Sequence, residues 1–122
     1  MKIMGRVRFI EHHARQILFL DLSYCTLADV FEAIQTTRHY LASQSEHSVR
    51  SLIDVTAAPF GIEAVTAIKE LSKANRPYIA ASAIVGLNRV QSIILETIEK
   101  YSDRTFTLFG DIEEAKNWLA KT

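Results

Sequence analysis

The chain has 122 residues, of which 48% are hydrophobic and 23% are charged, so it is long enough for one domain with a sizeable core. Lysine plus arginine and aspartate plus glutamate number 14 each, and this balance gives no electrostatic reason to expect nucleic acid or an anionic membrane as a partner. No apolar run approaches the roughly 20 residues that a membrane span needs, and the start of the chain lacks the apolar segment of a secretory signal.

The first elements are two strands and a helix. Residues 6–9 alternate charged and apolar side chains, which predicts a half-exposed strand, and residues 12–15 form a polar turn. Residues 16–22 are almost continuously apolar, as in a strand that is buried on both faces. Thr26 with Asp29 three positions later is typical of a helix start.

The middle of the chain repeats the pattern of strand and helix twice. Residues 52–55 predict a second buried strand, and the helix that follows it ends before Pro77, because proline disfavours helical geometry in the preceding residue. Residues 78–85 predict a third buried strand made largely of small side chains. Asn88 is expected to cap the next helix.

The last elements are a short strand and a helix. Residues 105–109 predict a strand, and Asp111 with Glu114 is typical of the start of a final helix. The element order is therefore β-β-α-β-α-β-α-β-α, which predicts an α/β fold with four helices and a mostly parallel sheet of about five strands. The first strand must be antiparallel to the second because only a short turn joins them. We expect a single domain over residues 1–122.

Three stretches of this chain resemble the STAS domain, the domain of sulfate transporters and anti-sigma-factor antagonists, and especially the small bacterial STAS/CRAL-TRIO-like proteins. They are residues 51–56 (SLIDVT), residues 75–86 (NRPYIAASAIVG) and residues 106–119 (FTLFGDIEEAKNWL). The resemblance covers residues 16–122. It implies a regulatory or ligand-binding role, usually without catalysis.

The resemblance also raises the question of a phosphorylation switch. In anti-sigma-factor antagonists, a serine at the start of the helix after the second parallel strand is phosphorylated, which alters partner binding. Residues 60–65 of this chain read FGIEAV and contain no serine. Thr56 and Thr66 flank this stretch without fitting the family's pattern, so we expect that the usual serine switch is absent.

The candidate ligand-binding residues lie where strands give way to helices. A helix N-terminus presents unpaired N–H groups, and Arg89 could add donors for a carboxylate or a phosphate. The small residues of the third strand permit either close helix packing, which we favour, or a cavity for an apolar ligand with Phe19, Phe60 and Tyr78 as its aromatic lining. The predicted binding residues are Thr56, Phe60, Ser82, Gly86, Asn88 and Arg89.

A catalytic or metal site is an alternative for Asp21 and Asp54, which end two buried strands. A carboxylate pair at one edge could serve as acid and base, although aspartates at strand ends commonly accept hydrogen bonds from their own loops. None of the four histidines has metal-site spacing, and Cys25, the only cysteine, has no base at a recognisable spacing. We therefore expect no catalytic residue, no metal and no cofactor.

The expected function is a non-enzymatic regulatory or ligand-binding domain. A small enzyme that uses Asp21 and Asp54, or a carrier of lipids or other apolar molecules, is the alternative. The expected partners are a second copy of the chain, a regulatory protein, or a small anionic or apolar ligand. A second copy would cover either the sheet face left bare by the helices or the edge of the first strand. A lone cysteine that cannot form an internal disulfide favours the cytoplasm.

Overall fold

The structure, a computed structural model, describes residues 5–122. The expectation of no secretory signal concerns residues 1–4 in part, and these lie outside the described residues. The elements are β1 (Val7–His12), β2 (Arg15–Asp21), α1 (Leu27–Leu41), β3 (Val49–Asp54), α2 (Ile62–Asn75), a 3-10 turn (Arg76–Tyr78), β4 (Ile79–Val85), α3 (Arg89–Ser102), β5 (Thr107–Phe109) and α4 (Ile112–Ala120).

The five strands form one sheet in the order β1-β2-β3-β4-β5. The β1–β2 pair is antiparallel and the other three pairs are parallel, which confirms the predicted fold class. The turn between β1 and β2 consists of His13 and Ala14, both with positive φ, as a two-residue hairpin turn requires.

Helix starts follow the sequence signals. Thr26 and Asp29 form a reciprocal capping box at α1, and Asn88 forms one with Gln91 at α3. The final helix differs in detail, because the Asp111 carboxylate accepts a hydrogen bond from the Glu113 backbone N–H rather than forming a box with Glu114.

Two apolar layers cover the sheet. On one face, alternate residues such as Leu18, Leu20 and Ile84 pack against α1, α2 and α3. On the other face, β2, β3 and β4 pack against α4, whose Ala115 and Leu119 have no exposed surface. This arrangement explains the unbroken apolar run of β2, since each of its alternating faces meets a helix layer.

The small side chains of β4 allow α4 to pack closely on the second face of the sheet. Ala81 and Ala83 face α4, and Ala83 is fully buried. The close packing favoured by the sequence is therefore what these alanines provide. Helix α4 covers the centre of the face that was expected to be bare, so the need to cover this face is a weaker argument for a second copy of the chain. The homodimer stays a prediction.

Leu119→Ala tests the role of α4 as the cover of this face. The substitution should lower the free energy of unfolding by about 2–5 kcal/mol, because it leaves a cavity at a site without solvent contact. Urea denaturation measures this loss. The control is Leu108→Ala at a side chain that is 46% exposed, which should cost about 1 kcal/mol or less. Equal losses in the two variants would contradict the assigned layer.

Candidate functional site

The loops that follow β2, β3 and β4 lie side by side and form one rim of the sheet, at residues 22–26, 55–61 and 86–88. We call this rim the carboxyl edge. The Tyr24 backbone N–H donates to the Thr56 carbonyl at 2.8 Å, and Gly86 packs against Thr56. The loops are therefore held together by backbone contacts.

Two aspartates end neighbouring strands at this edge in the same way. Asp21 and Asp54 are register partners across β2 and β3. The Asp21 Oδ1 accepts hydrogen bonds from the backbone N–H and the hydroxyl of Ser23, at 3.1 and 2.5 Å. The Asp54 Oδ1 accepts the same pair from Thr56, at 3.0 and 2.7 Å. Each carboxylate thus orders the loop that follows it.

Gly86 is required by the geometry of the edge. Its φ is +92°, and a Cβ atom at this position would lie 2.6 Å from the Thr56 backbone nitrogen and 2.8 Å from the Thr56 Cα. The absence of a side chain therefore allows the β4 loop to pass directly over the β3 loop. This contact explains Gly86 as a packing residue of the edge.

Asn88 and Arg89 follow Gly86 at the start of α3. The Asn88 Oδ1 accepts a hydrogen bond from the Gln91 backbone N–H at 2.8 Å, so its side chain serves the helix cap. Arg89 is the first residue of α3 and is exposed. The two residues thus lie beside Thr56 and Gly86, and a binding role for them stays a prediction.

The predicted residue Ser82 lies away from the carboxyl edge. It precedes Gly86 by four strand positions, about 13 Å along the chain. Its buried hydroxyl is 2.6 Å from that of Ser51 and accepts a hydrogen bond from Arg104 Nη2 at 2.6 Å. Phe60 belongs to the carboxyl edge, in the loop after β3, and also lines an internal cavity.

This cavity lies between the sheet and α1, α2 and α3 and has a volume of about 70 Å³. Among the expected aromatic residues, Phe60 lines it, whereas Phe19 packs on the opposite face of the sheet and Tyr78 packs at the margin of the core. The small-residue stretch from Ala80 to Ala83 does not border it. The cavity is lined by the larger side chains of the core instead.

Arg104 is the residue of this region that sequence reasoning missed. Its guanidinium lines the cavity, donates to the Ser72 carbonyl at 3.2 Å and to the Ser82 hydroxyl, and packs 4.5 Å from the centre of the Phe106 ring. Burial lowers the pKa of Arg104 to about 10. A single arginine in a connecting loop belongs to no periodic pattern or motif. Its partners lie in other segments of the chain, so no sequence signal indicated its role.

The residues that signal other chemistry are dispersed. No cluster of three or more metal-ligating side chains occurs within residues 5–122. His12 Nε2 is 2.8 Å from Asn117 Oδ1, and His13, His39 and His47 are exposed. The N-cap of α2 is Gly61, so no hydroxyl stands at the position of the family's phosphorylated serine. Thr66 is exposed on α2, one turn beyond this start.

The fold resembles that of a solved protein. An uncharacterized protein of the DUF3478 family with a SpoIIAA-like fold, from Shewanella loihica PV-4, matches this chain with a TM-score of 0.71 and 18% sequence identity, over 93% of this chain and 91% of that chain. This likeness shows a SpoIIAA-like, and thus STAS-like, fold, which confirms the resemblance in the sequence. No protein-family model and no curated protein matches the chain.

Gly86→Ala tests the contact between the β3 and β4 loops. We expect a loss of about 2–4 kcal/mol in the free energy of unfolding, because the variant combines a positive φ with overlap on the Thr56 backbone. The control is Gly110→Ala, where a Cβ meets nothing within 4 Å, and it should change stability by about 1 kcal/mol or less. A Gly86→Ala protein as stable as the control would refute the tight passage.

Cys25 should be unreactive in the native protein. Burial raises the pKa of its thiol above the ordinary value, which lowers the thiolate fraction near neutral pH, and the side chain is only 9% exposed. Ellman's reagent should therefore react about tenfold or more slowly with the native chain than with the chain unfolded in urea. Equal rates in the two states would point to an activated thiol.

Proposed function

We propose that the protein is a non-enzymatic regulatory domain that docks a partner protein at its carboxyl edge. The observation that carries this proposal is that the four most exposed large apolar side chains of residues 5–122 lie in the loops of this edge or in the helices that start there. Tyr24 is 76% exposed, Ile62 82%, Val90 67% and Ile93 62%. Tyr24 belongs to the loop after β2, Ile62 starts α2, and Val90 and Ile93 lie in the first two turns of α3. Exposed apolar groups gathered on one rim are typical of protein interaction sites.

The shape of the edge favours a protein over a small molecule. The cavity is lined by Leu22, Phe60 and Leu87 from the loops of the edge, but by none of the four exposed side chains. These four therefore project outward and offer contact area to a broad surface. Glu63 and Arg89, which carry opposite charges, start the two neighbouring helices, so an apolar partner surface with little net charge fits best.

The hydrogen bonds of the two aspartates support binding over catalysis. One oxygen of each carboxylate is held by its own loop, and neither side chain lines the cavity. The pair thus gives the edge a defined shape on which a partner can dock. The glycine at the start of α2 supports a partner interaction that does not depend on serine phosphorylation.

The small volume of the cavity argues against a role as a lipid carrier. The volume of about 70 Å³ has room for roughly five water molecules and cannot hold a long acyl chain. Among the residues that the structure describes, no helix is long and apolar enough to cross a membrane. The cytoplasmic location stays a prediction. The free thiol of Cys25 agrees with a reducing compartment.

Photo-crosslinking tests the proposal. A crosslinking amino acid at position 62 should capture one dominant protein partner, whereas the same amino acid at position 31, an exposed site on α1, should not. With that partner purified, Ile62→Asp should weaken binding about tenfold or more, since an apolar contact is replaced by a charge. An aspartate in the first turn of α2 suits the helix dipole, so folding is preserved.

Phe31→Asp is the matched control, because it places the same charge on a different exposed apolar residue and should leave affinity unchanged. Sedimentation distinguishes a second copy of the chain from another protein as the partner. A dimer that Ile62→Asp dissociates supports the edge as the contact. Equal crosslinking from positions 31 and 62, or full affinity in Ile62→Asp, contradicts the proposal.

A further inference from the structure

The cavity between the sheet and the three helices has a polar end and an apolar remainder. Three successive inward-facing residues of the β3 segment line it, Ser51, Ile53 and Val55, so it runs along the strand direction for about 13 Å. Most other lining side chains are leucine, isoleucine or valine. The polar groups gather near the start of β3 and the end of α2, away from the carboxyl edge.

Two polar side chains at this end belong to the last turns of α2. Ser72 and Asn75 are 5% and 7% exposed, and both line the cavity. Asn75 makes no side-chain hydrogen bond to the 3-10 turn that it precedes, and its amide has no hydrogen-bond partner elsewhere in residues 5–122. The amide is not fully enclosed, because no fully buried side-chain nitrogen or oxygen of these residues lacks a partner. An amide with accessible surface that lines a cavity can bind what enters it.

The guanidinium of Arg104 adds a charge to the same end. It donates to two neutral acceptors, the Ser72 carbonyl and the Ser82 hydroxyl, although a guanidinium carries five N–H donors. No carboxylate of the described residues pairs with it, and the adjacent acid Asp103 pairs with Arg76 at 2.8 Å instead. A positive charge in such surroundings is costly until an anion joins it.

We propose that this cavity binds a small apolar monocarboxylate, with its carboxylate on Arg104 and Asn75 and its hydrocarbon tail among the aliphatic side chains. The volume of about 70 Å³ corresponds to roughly five water molecules, so a ligand of about six heavy atoms fits. The planar guanidinium matches a carboxylate, whereas a phosphate dianion would need more donors than this largely apolar cavity offers. This site is separate from the carboxyl edge, and the proposal does not depend on partner docking.

The first test compares three ligands on the unaltered protein. Sodium butyrate should shift the NMR signals of cavity methyl groups such as those of Leu71 and Ile98, but not those of Leu119 on the other face of the sheet. Butyramide has nearly the same shape without the charge and should bind about tenfold or more weakly. Inorganic phosphate should not shift these signals.

The second test uses variants. Arg104→Gln should reduce butyrate affinity about tenfold or more, while Arg76→Gln, which removes an exposed arginine nearby, should leave it unchanged. Ala33→Leu places a larger side chain in the cavity from α1 and should abolish binding while the charge of Arg104 is kept. If a variant fails to fold, the comparison of the three ligands on the unaltered protein still tests whether the cavity binds a monocarboxylate.

Three results would overturn the proposal. Equal affinity for butyrate and butyramide would remove the role of the charge. Binding of inorganic phosphate in preference to butyrate would assign a different anion to Arg104. The absence of methyl shifts with butyrate at millimolar concentrations would show that the cavity takes no such ligand.

Discussion

The burial of β2, β3 and β4 on both faces is the constraint on which the rest of the structure depends. With strands placed in chain order, the three connecting helices occupy one face, and the other face would leave residues such as Ile17, Leu52 and Ala83 in water. The final helix removes this exposure by lying across the sheet. It can approach closely because two of the three β4 residues on this face are alanines, Ala81 and Ala83.

The two ends of the parallel strands have different chemistry as a result. At the carboxyl edge, aspartates and a glycine use backbone contacts to join three loops, and apolar side chains remain exposed above them. At the opposite end, the interior between sheet and helices contains polar groups, with Arg104 among hydroxyl and amide side chains. One end suits a broad protein surface, and the other suits a small molecule that can enter a cavity.

The stretch at the end of β4 illustrates how far sequence patterns reach. Its small strand residues and Asn88 correctly predicted a strand and a capped helix, because both depend on local backbone chemistry. The same stretch was expected to gather one binding site. Ser82 instead lies in the middle of β4 while Gly86 follows its end, and their contacts are with Arg104 and Thr56, from other segments.

The sequence by itself determined the order of elements, the sheet type and the helix starts at Thr26 and Asn88, since hydrophobic period and capping are properties of neighbouring residues. Only the tertiary structure decided that α4 covers the second face, that Asp21 and Asp54 are register partners held by their own loops, and that Arg104 lines a cavity without a carboxylate partner. These facts depend on distances between segments that are far apart in the chain. Such distances are set by packing, and no local pattern records them.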